Sequence, residues 1–301
     1  MLTIATLLLI LTAEVAVGQD YRVAVKGQTF PLDMEPNSVD DQFEGCTKNM
    51  AYLVETKFLN EEISGNSAFA ATWKEGVIKA TAPGYSLTRN HSIAIYVYTS
   101  NRVYKDFNDA TRSDKQKYIN MIYNWYSLHF LLTEAIQILK KTQKKCQITY
   151  RGTNIKFDKD VLNKEVRFGS FASSSLNRKT SFGHVSCFEI ETCEGAYVAK
   201  YSVYPGEEEV LIPPYEKFNV IAVKKDTWCK TVYVLESSGS RSDLNCAVTS
   251  VLCKSVLGVK NSEIRSDLVC PVASVEFLIH HRCQSFWLAS LYVLIHYICL
   301  H

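Results

Sequence analysis

The sequence lacks the short motifs that identify several common classes of binding site. No two cysteines have the spacing of a Cys-x-x-Cys pair, which excludes the usual structural zinc patterns. There is no Gly-x-x-x-x-Gly-Lys phosphate loop and no Gly-x-Gly-x-x-Gly turn. The 7 histidines form no ligand set with nearby acids. The sequence therefore predicts neither a metal site nor either of these two nucleotide-binding turns.

A strong charge of either sign is also absent. With 33 Lys+Arg against 31 Asp+Glu, the formal net charge is +2. This balance argues against a nucleic-acid partner and against binding to an anionic membrane surface. The composition of the 301 residues, 47% hydrophobic and 21% charged, is typical of a globular protein with one large domain or two small ones.

The first residues resemble a secretory signal peptide. A largely apolar run over residues 2–11 precedes small residues at Ala16, Val17 and Gly18, and it is too short to span a bilayer. We assign residues 1–20 to the signal peptide. In an exported chain, 10 cysteines favour disulfide bonds over metal or redox sites. The sequon that begins at Asn90 predicts a glycosylation site in the same compartment.

The other end of the chain is apolar over residues 286–300. A tail of this kind resembles a signal that is exchanged for a glycosylphosphatidylinositol (GPI) lipid anchor, so membrane attachment through a lipid is one reading. A secreted form and a plain membrane tail are the alternatives. We interpret residues 247–301 as a stalk followed by this tail.

The first half of the chain has mainly helical patterns. Ser38, followed by two aspartates, predicts a helix start. A second helix is predicted over residues 67–79. A third is predicted over residues 114–140, where apolar residues recur at three- and four-residue spacing. Residues 92–98 are rich in β-branched and aromatic side chains and predict a strand.

After Cys146 the patterns become those of short strands. They are predicted over residues 147–150, 166–171, 184–190, 196–203, 209–212, 217–224 and 231–235. Helices first and strands afterwards indicate an α+β fold rather than an alternating α/β fold. Residues 237–285 show no steady periodicity and are read as tail and stalk.

Three consecutive glutamates, Glu207, Glu208 and Glu209, lead into the strand predicted over residues 209–212. On a strand, Glu207 and Glu209 share one face and Glu208 occupies the other. Two like charges on one face raise the pKa of at least one of them. Taken alone, the run is typical of a solvated acidic edge. A cation or a polar substrate between the carboxylates is the alternative.

Two other motifs precede these glutamates in the strand-rich half, namely Tyr150-Arg151-Gly152-Thr153 and the serine triplet that begins at Ser173. Arginine, serine and Glu-x-Glu in this order form the arrangement R-S-E-x-E. On these motifs, residues 21–246 resemble the arginine-specific mono-ADP-ribosyltransferases of the vertebrate cell-surface type. The resemblance implies a catalytic domain over residues 21–246, with a two-sheet core around an NAD cleft and no metal.

The resemblance assigns roles that agree with the chemistry of each residue type. Arg151 would bind the pyrophosphate of NAD, and Gly152 would permit close approach of the backbone. Ser173 would hold the catalytic glutamate or the nicotinamide ribose. Glu209 would stabilise the oxocarbenium character that develops at the ribose. Glu207 would orient the acceptor guanidinium and help to take its proton.

Further NAD contacts are implied at Tyr98, Ser170, Phe171 and Ser202. For the two aromatic residues a place in the core is the alternative, and for the two serines a place on the surface. Arg167 would either reach a phosphate or lie exposed on a strand. The resemblance also implies two disulfide bonds, Cys46–Cys246 and Cys146–Cys193. Cys187 and Cys229 are additional, and they either pair with each other or leave a free thiol.

The function implied by the resemblance is transfer of ADP-ribose from NAD to arginines of extracellular or surface proteins, with release of nicotinamide. A predominantly hydrolytic NAD glycohydrolase and a catalytically silent surface antigen are the alternatives within the fold. An unrelated secreted binding module would have to produce the ordered motifs by coincidence. We expect the protein in the secretory pathway and then at the cell surface or secreted.

Overall fold

The computed structural model describes residues 28–180 and 182–257. The predicted signal peptide and the apolar tail lie outside these residues, and both stay predictions. Within the described part of the chain, no helix combines the length and the apolar character needed to cross a membrane.

Residues 47–140 form the helical half of the domain, and a π-helical turn, Val54–Phe58, joins its first two helices. These helices are α1 (Thr47–Leu53), α2 (Leu59–Gly65), α3 (Ser67–Lys79), α4 (Arg89–Thr99), α5 (Tyr104–Ser113), α6 (Lys115–Ile119) and α7 (Tyr126–Lys140). The helix predicted over residues 67–79 is therefore confirmed. Asn66 caps it by accepting a hydrogen bond from the N–H of Phe69.

Residues 92–98 are helical, so the strand predicted there is wrong. They belong to α4, which begins with a capping box between Thr88 and His91. Gly76 of α3 permits close packing, since a Cβ there would lie 2.9 Å from Cγ2 of Ile93. α4 is buried between α3 and α7 on nearly all sides, and its residues 93–98 are all aliphatic or aromatic. A short run of that kind does not distinguish a buried helix from a buried strand.

The helix predicted from Ser38 begins only at Thr47. The polar residues that suggest a helix cap there make long-range hydrogen bonds instead. The hydroxyl of Ser38 donates to the carbonyl of Gly169, and Asp41 accepts the N–H of Cys246. The polar residues near Ser38 therefore belong to a buried loop and not to a helix start.

The long helix predicted over residues 114–140 is divided into α6 and α7. Between them Met121 adopts a left-handed conformation with φ of 62°. The hydroxyl of Tyr126 donates to the carbonyl of Tyr118, which ties the two helices across the break. The apolar stripe of α7 is buried as its spacing predicts.

The second half is organised on one eight-stranded sheet, with a separate two-stranded parallel pair, β1 and β3. The strands are β1 (Thr29–Phe30), β2 (Gln147–Thr153), β3 (Lys156–Phe157), β4 (Glu165–Val166), β5 (Ala172–Ser175), β6 (Ser186–Thr192), β7 (Ala196–Tyr197), β8 (Glu209–Ile212), β9 (Glu216–Lys225) and β10 (Thr231–Ser240). Their order in the large sheet is β4-β9-β10-β6-β2-β5-β8-β7.

The large sheet is narrow at its centre. β2 and β5 pair through Tyr150 and Ser175 alone, whereas β2 and β6 pair along seven residues of each strand. A five-stranded part and a three-stranded part therefore meet at one residue pair. The two parts of the sheet correspond to the two-sheet core that the resemblance implies.

Two predicted strands are shorter than expected. Of residues 166–171 only the first is paired, in β4, because the chain then turns at Gly169 with φ of 68°. Of residues 196–203 only Ala196–Tyr197 form a strand. The strand predicted over residues 209–212 has the expected ends.

Hydrophobic cores lie on both faces of the sheet. Phe171 and Leu211 pack with the helices, whereas their neighbours Ala172 and Ile212 pack into the other cluster. Successive residues of an extended chain point to opposite faces, so each strand contributes to both cores. The helices therefore cover the face that carries Phe171 and, farther along β5, Ser173.

Both disulfide bonds implied by the resemblance are present, Cys46–Cys246 and Cys146–Cys193. A third bond, Cys187–Cys229, answers the question that the sequence leaves open, and neither of these two cysteines is a free thiol. Helix α8 (Ala247–Leu257) follows the first bond, and its Val248 is buried. The packed body therefore continues into the segment assigned to the stalk. The remaining division into domains stays a prediction.

Arg167 is buried, so the reading of it as an exposed strand arginine is wrong. Its guanidinium pairs with Asp40 at 2.7 Å and donates to the carbonyls of Met34, Glu35 and Arg241. It thereby fixes the N-terminal lead-in and the end of β10 to the body of the domain.

Candidate active site

Arg151, Ser173 and Glu209 come from three neighbouring strands, β2, β5 and β8. The sheet places them together beside its narrow junction. Nη1 of Arg151 donates to the carbonyl oxygen of Ser173 at 2.6 Å. Glu209 is the register partner of Ser175, two residues along from Ser173 and therefore on the same face. The fold thus brings the three R-S-E residues to one place.

Glu209 is almost fully buried, with 2% of its surface exposed. Ser202 donates to its Oε2 at 3.3 Å, and the side chain of Ser173 lies near it. Burial raises the pKa of Glu209 to about 7, although these two serines and the charge of Arg151 oppose the rise. Its Oε1 has no hydrogen-bond partner among the described residues. A buried carboxylate oxygen in this state is costly unless something else contacts it.

Glu207 does not lie on the strand, so the face-alternation prediction is wrong in its geometry. Pro205–Glu207 form a 3₁₀ turn, and Glu208 is left-handed with φ of 51°. Glu207 nevertheless lies near Glu209. Burial raises the pKa of Glu207 to about 7, and the charge of Glu209 contributes to the rise. Its Oε2 is also without a partner in the described part of the chain.

The serine triplet holds the glutamate segment through its backbone. The hydroxyl of Ser174 donates to the carbonyl of Val210, and that of Ser175 donates to the carbonyl of Glu207 at 2.7 Å. The sequence predicts a role only for Ser173. The serine triplet itself indicates a role for Ser174 and Ser175, because small hydroxyl residues on a short strand can hydrogen-bond to the neighbouring segment.

Tyr98 lies behind the site rather than in its wall. Its side chain is fully buried, and its hydroxyl donates to the carbonyl of Phe171 at 3.1 Å. The hydroxyl oxygen of Tyr98 in turn accepts a hydrogen bond from the Asn108 amide at 3.3 Å, and the Ser173 hydroxyl lies 3.5 Å from it. Burial raises the pKa of Tyr98 well above its usual range. Tyr98 is therefore a neutral support for Ser173.

Phe171 belongs to the core, which is the alternative that the sequence left open. Its ring stacks on Phe107 and meets Tyr98 and His129 edge to face. Only 1% of its surface is exposed. The structure thus places it among other side chains rather than against a cleft.

Of the other residues predicted to contact NAD, Ser202 contacts a residue of the R-S-E set by its side chain. Ser202 contacts Glu209, as described above, whereas Ser170 is buried and accepts a hydrogen bond from Nη2 of Arg112 at 2.9 Å. Gly152 is buried and pairs with Cys187 of β6. Ser202 therefore joins the R-S-E residues, and Ser170 is engaged by α5.

Asn90 lies half-buried in the first turn of α4, and its sequon hydroxyl, Ser92, is buried and donates to the carbonyl of Thr81. Its glycosylation stays a prediction. Cys146, Glu191 and Cys193 lie close enough together to resemble a metal site. Because the two cysteines form a disulfide bond, their sulfurs have no thiolate to offer a metal.

The chemistry available here is that of two carboxylates near neutral pKa beside a buried arginine. Glu209 offers an unsatisfied oxygen in a low-dielectric position, where a developing positive charge is strongly stabilised. Glu207, half-buried and nearer to solvent, is suited to bind a cation or to accept a proton at neutral pH.

Comparisons with known proteins agree with this arrangement. Residues 32–243 match the family described as NAD:arginine ADP-ribosyltransferase. The GPI-linked NAD(P)(+)--arginine ADP-ribosyltransferase 1 of Mus musculus is 34% identical over 253 residues, which are 76% of this chain and 77% of that protein. The T-cell ecto-ADP-ribosyltransferase 2 of Mus musculus is 32% identical over 229 residues, which are 72% of this chain and 77% of that protein.

Solved structures give the same result. The crystal structure of the eucaryotic mono-ADP-ribosyltransferase ART2.2 is similar with a TM-score of 0.61 and 30% identity, over 72% of this chain and 98% of that one. A mutant of ART2.2 in complex with NAD is similar with a TM-score of 0.60 and 29% identity, over the same shares.

Proposed function

The chain belongs to the NAD:arginine ADP-ribosyltransferase family, and we propose that it transfers ADP-ribose from NAD to arginine side chains and releases nicotinamide. The observation that carries the proposal is the unsatisfied Oε1 of the buried Glu209, beside Arg151 and Ser173. NAD is the donor substrate, and the reaction as proposed uses no metal.

In the proposed reaction the bond between the ribose and the nicotinamide nitrogen breaks, and its electron pair leaves with nicotinamide. Positive charge then develops on the ribose, and the carboxylate of Glu209 stabilises it. A nitrogen of the acceptor guanidinium forms the new bond to the same ribose carbon. Glu207 accepts the proton that this nitrogen loses.

The other residues of the site bind and orient. The planar guanidinium of Arg151 suits the dianionic pyrophosphate of NAD, and Gly152 places the backbone near it. Ser173 and Ser202 hold the carboxylate of Glu209 in one orientation. Tyr98 acts through Ser173 and does not itself contact the donor.

The acceptors in this proposal are arginine-bearing proteins on the cell surface or outside the cell. Two observations support an extracellular location, namely the three disulfide bonds and the signal-like first residues. The names of the relatives include "GPI-linked" and "ecto". We propose the same surface location here, with a lipid anchor or secretion as the two routes.

Incubation of the protein with radiolabelled NAD and agmatine, a small guanidine, tests the proposal. We expect label on agmatine and release of nicotinamide. Nicotinamide release without labelled agmatine would identify an NAD glycohydrolase instead. The absence of both products would contradict the proposal and favour a catalytically silent surface protein.

A further inference from the structure

A wide groove lies next to the candidate active site, and the proposed reaction does not use it. It has a volume of about 880 Å³ and is bounded by the end of α7, the start of β2 and the turn after β7. The α3–α4 loop closes one side of it through Tyr85. Leu176, at the end of β5, forms part of another wall.

Apolar side chains are exposed in this groove. Tyr85 is 60% exposed, Ile148 is 55% exposed and Leu176 is 40% exposed. They lie on three separate elements and line the same depression. Scattered exposed apolar residues need no explanation, but several that converge on a concave surface mark a binding site.

The charges of the groove have one sign. Its charged lining residues are Lys144 and Lys200, and neither has an ion-pair partner among the described residues. The ammonium group of Lys200 lies 5.6 Å from the ring centres of both Tyr85 and Tyr201. The hydroxyl of the buried Tyr201 has no hydrogen-bond partner in the described structure. An occupant with an acidic group would complement this surface.

The groove borders the segment that carries the two glutamates. The N–H of Leu176 donates to the carbonyl of Glu208 at 3.1 Å, so a wall of the groove is bonded to the residue between Glu207 and Glu209. Lys200 lies two residues before Ser202, whose hydroxyl donates to Glu209. A chain that presents an arginine to Glu207 therefore has this groove as its neighbouring surface.

We propose that the groove binds the segment of the acceptor protein that flanks the target arginine, and that it selects segments with a large apolar residue and an acidic residue. The apolar walls would bind the apolar residue, and Lys144 and Lys200 would attract the acidic residue. The inference rests on the proposed transferase function. It adds a preference for the residues that flank the target arginine, which a small free guanidine lacks.

Peptide acceptors test the inference directly. One peptide carries a single arginine flanked by leucine and glutamate, a second replaces the glutamate with lysine, and a third replaces the leucine with serine. For the wild type we expect kcat/KM to fall about tenfold for each replacement. In the double variant Lys144→Glu with Lys200→Glu, we expect the preference between glutamate and lysine to reverse.

Agmatine separates this inference from the function on which it rests. The double variant should keep the wild-type kcat/KM for agmatine, because agmatine does not reach the groove. A matched variant, Lys159→Glu with Lys225→Glu, reverses two exposed lysines outside the groove and should keep the wild-type peptide preference. An unchanged peptide preference in the groove variant, with agmatine activity intact, would overturn the inference alone. Loss of agmatine transfer in the wild type would overturn the proposed function.

Discussion

Two buried places in this domain combine an arginine with a carboxylate, and they differ in how fully the carboxylate is satisfied. At the first, Arg167 pairs with Oδ2 of Asp40 at 2.7 Å. Oδ1 of Asp40 accepts the backbone N–H groups of Asp243 and Leu244. Both oxygens of this carboxylate thus have partners inside the protein.

At the second place the carboxylate of Glu209 lies beside Arg151 and is incompletely bonded. Its Oε1 has no partner in the described residues, and the same is true of Oε2 of Glu207. Burial raises the pKa of both glutamates to about 7. The comparison indicates that the satisfied pair stabilises the fold, whereas the unsatisfied carboxylates are kept for a substrate.

The largest effect on stability is expected from breaking the satisfied pair. Arg167→Met leaves the charge of Asp40 buried without its partner, which typically costs about 3–5 kcal/mol of unfolding free energy. Chemical denaturation measures this loss. The control is Arg102→Met, which removes an exposed partner of Glu75 and should cost at most about 1 kcal/mol. Equal effects of the two variants would contradict a structural role for the buried pair.

The pH dependence of stability tests the state of the Glu209 carboxylate. The pKa of Glu209 rises from an ordinary value of 4.5 to about 7 on folding, so the folded state favours the protonated form. Its contribution to stability is complete below pH 4.5 and is lost as the pH rises to 7. Relative to Glu209→Gln, the wild type should therefore lose about 3 kcal/mol over this range.

Denaturation of both proteins between pH 4 and pH 8 gives this difference. Buried acids away from Glu209, such as Asp41 and Glu62, are common to both proteins and cancel. The pKa of Glu207 falls when the charge of Glu209 is removed, so Glu207 adds to the difference in the same direction. A difference in stability that does not change with pH would contradict the account of Glu209.

Glu207→Gln should distinguish the role of Glu207 in transfer to the acceptor from the role of Glu209 in nicotinamide release. Because Glu207 is proposed to accept the acceptor's proton, we expect transfer to agmatine to fall about 10²-fold. Nicotinamide release should persist, with water as the acceptor. Measurement of both products in one assay tests this, and equal loss of both would assign Glu207 to the donor side instead.

Glu208→Ala should have the smallest effect. The described contact of Glu208 with the site is through its carbonyl oxygen, which the substitution keeps. We expect stability within about 0.5 kcal/mol of the wild type and little change in activity. The control is Glu208→Gly, which should be slightly more stable because glycine adopts the positive φ more easily. Strong inactivation by alanine would show that this side chain takes part in the reaction.

The sequence predicts the ends of α3 and β8 because each has strong local signals, a cap in one case and a double proline after the strand in the other. It fails at residues 92–98, where burial on all sides hides the helical period. It also fails at Arg167, since no local pattern indicates a partner 127 residues away. Such pairings are set by tertiary structure.

The candidate site shows the same limits. The order of arginine, serine and glutamates along the chain identifies Arg151, Ser173 and Glu209 without a structure. The turn that carries Glu207, and the core positions of Tyr98 and Phe171, depend on how strands and helices pack. The groove beside the site has no signal in the sequence, because its walls come from separate elements.

The most direct test of the central claim is the activity of Glu209→Gln measured together with its stability. Glutamine keeps the size of the side chain and removes its charge. We predict that agmatine labelling and nicotinamide release both fall by about 10²–10³-fold, while the midpoint of thermal unfolding at pH 7 is unchanged or raised. Retained activity, or a loss of activity accompanied by unfolding, would contradict the claim that Glu209 is kept unsatisfied for the substrate.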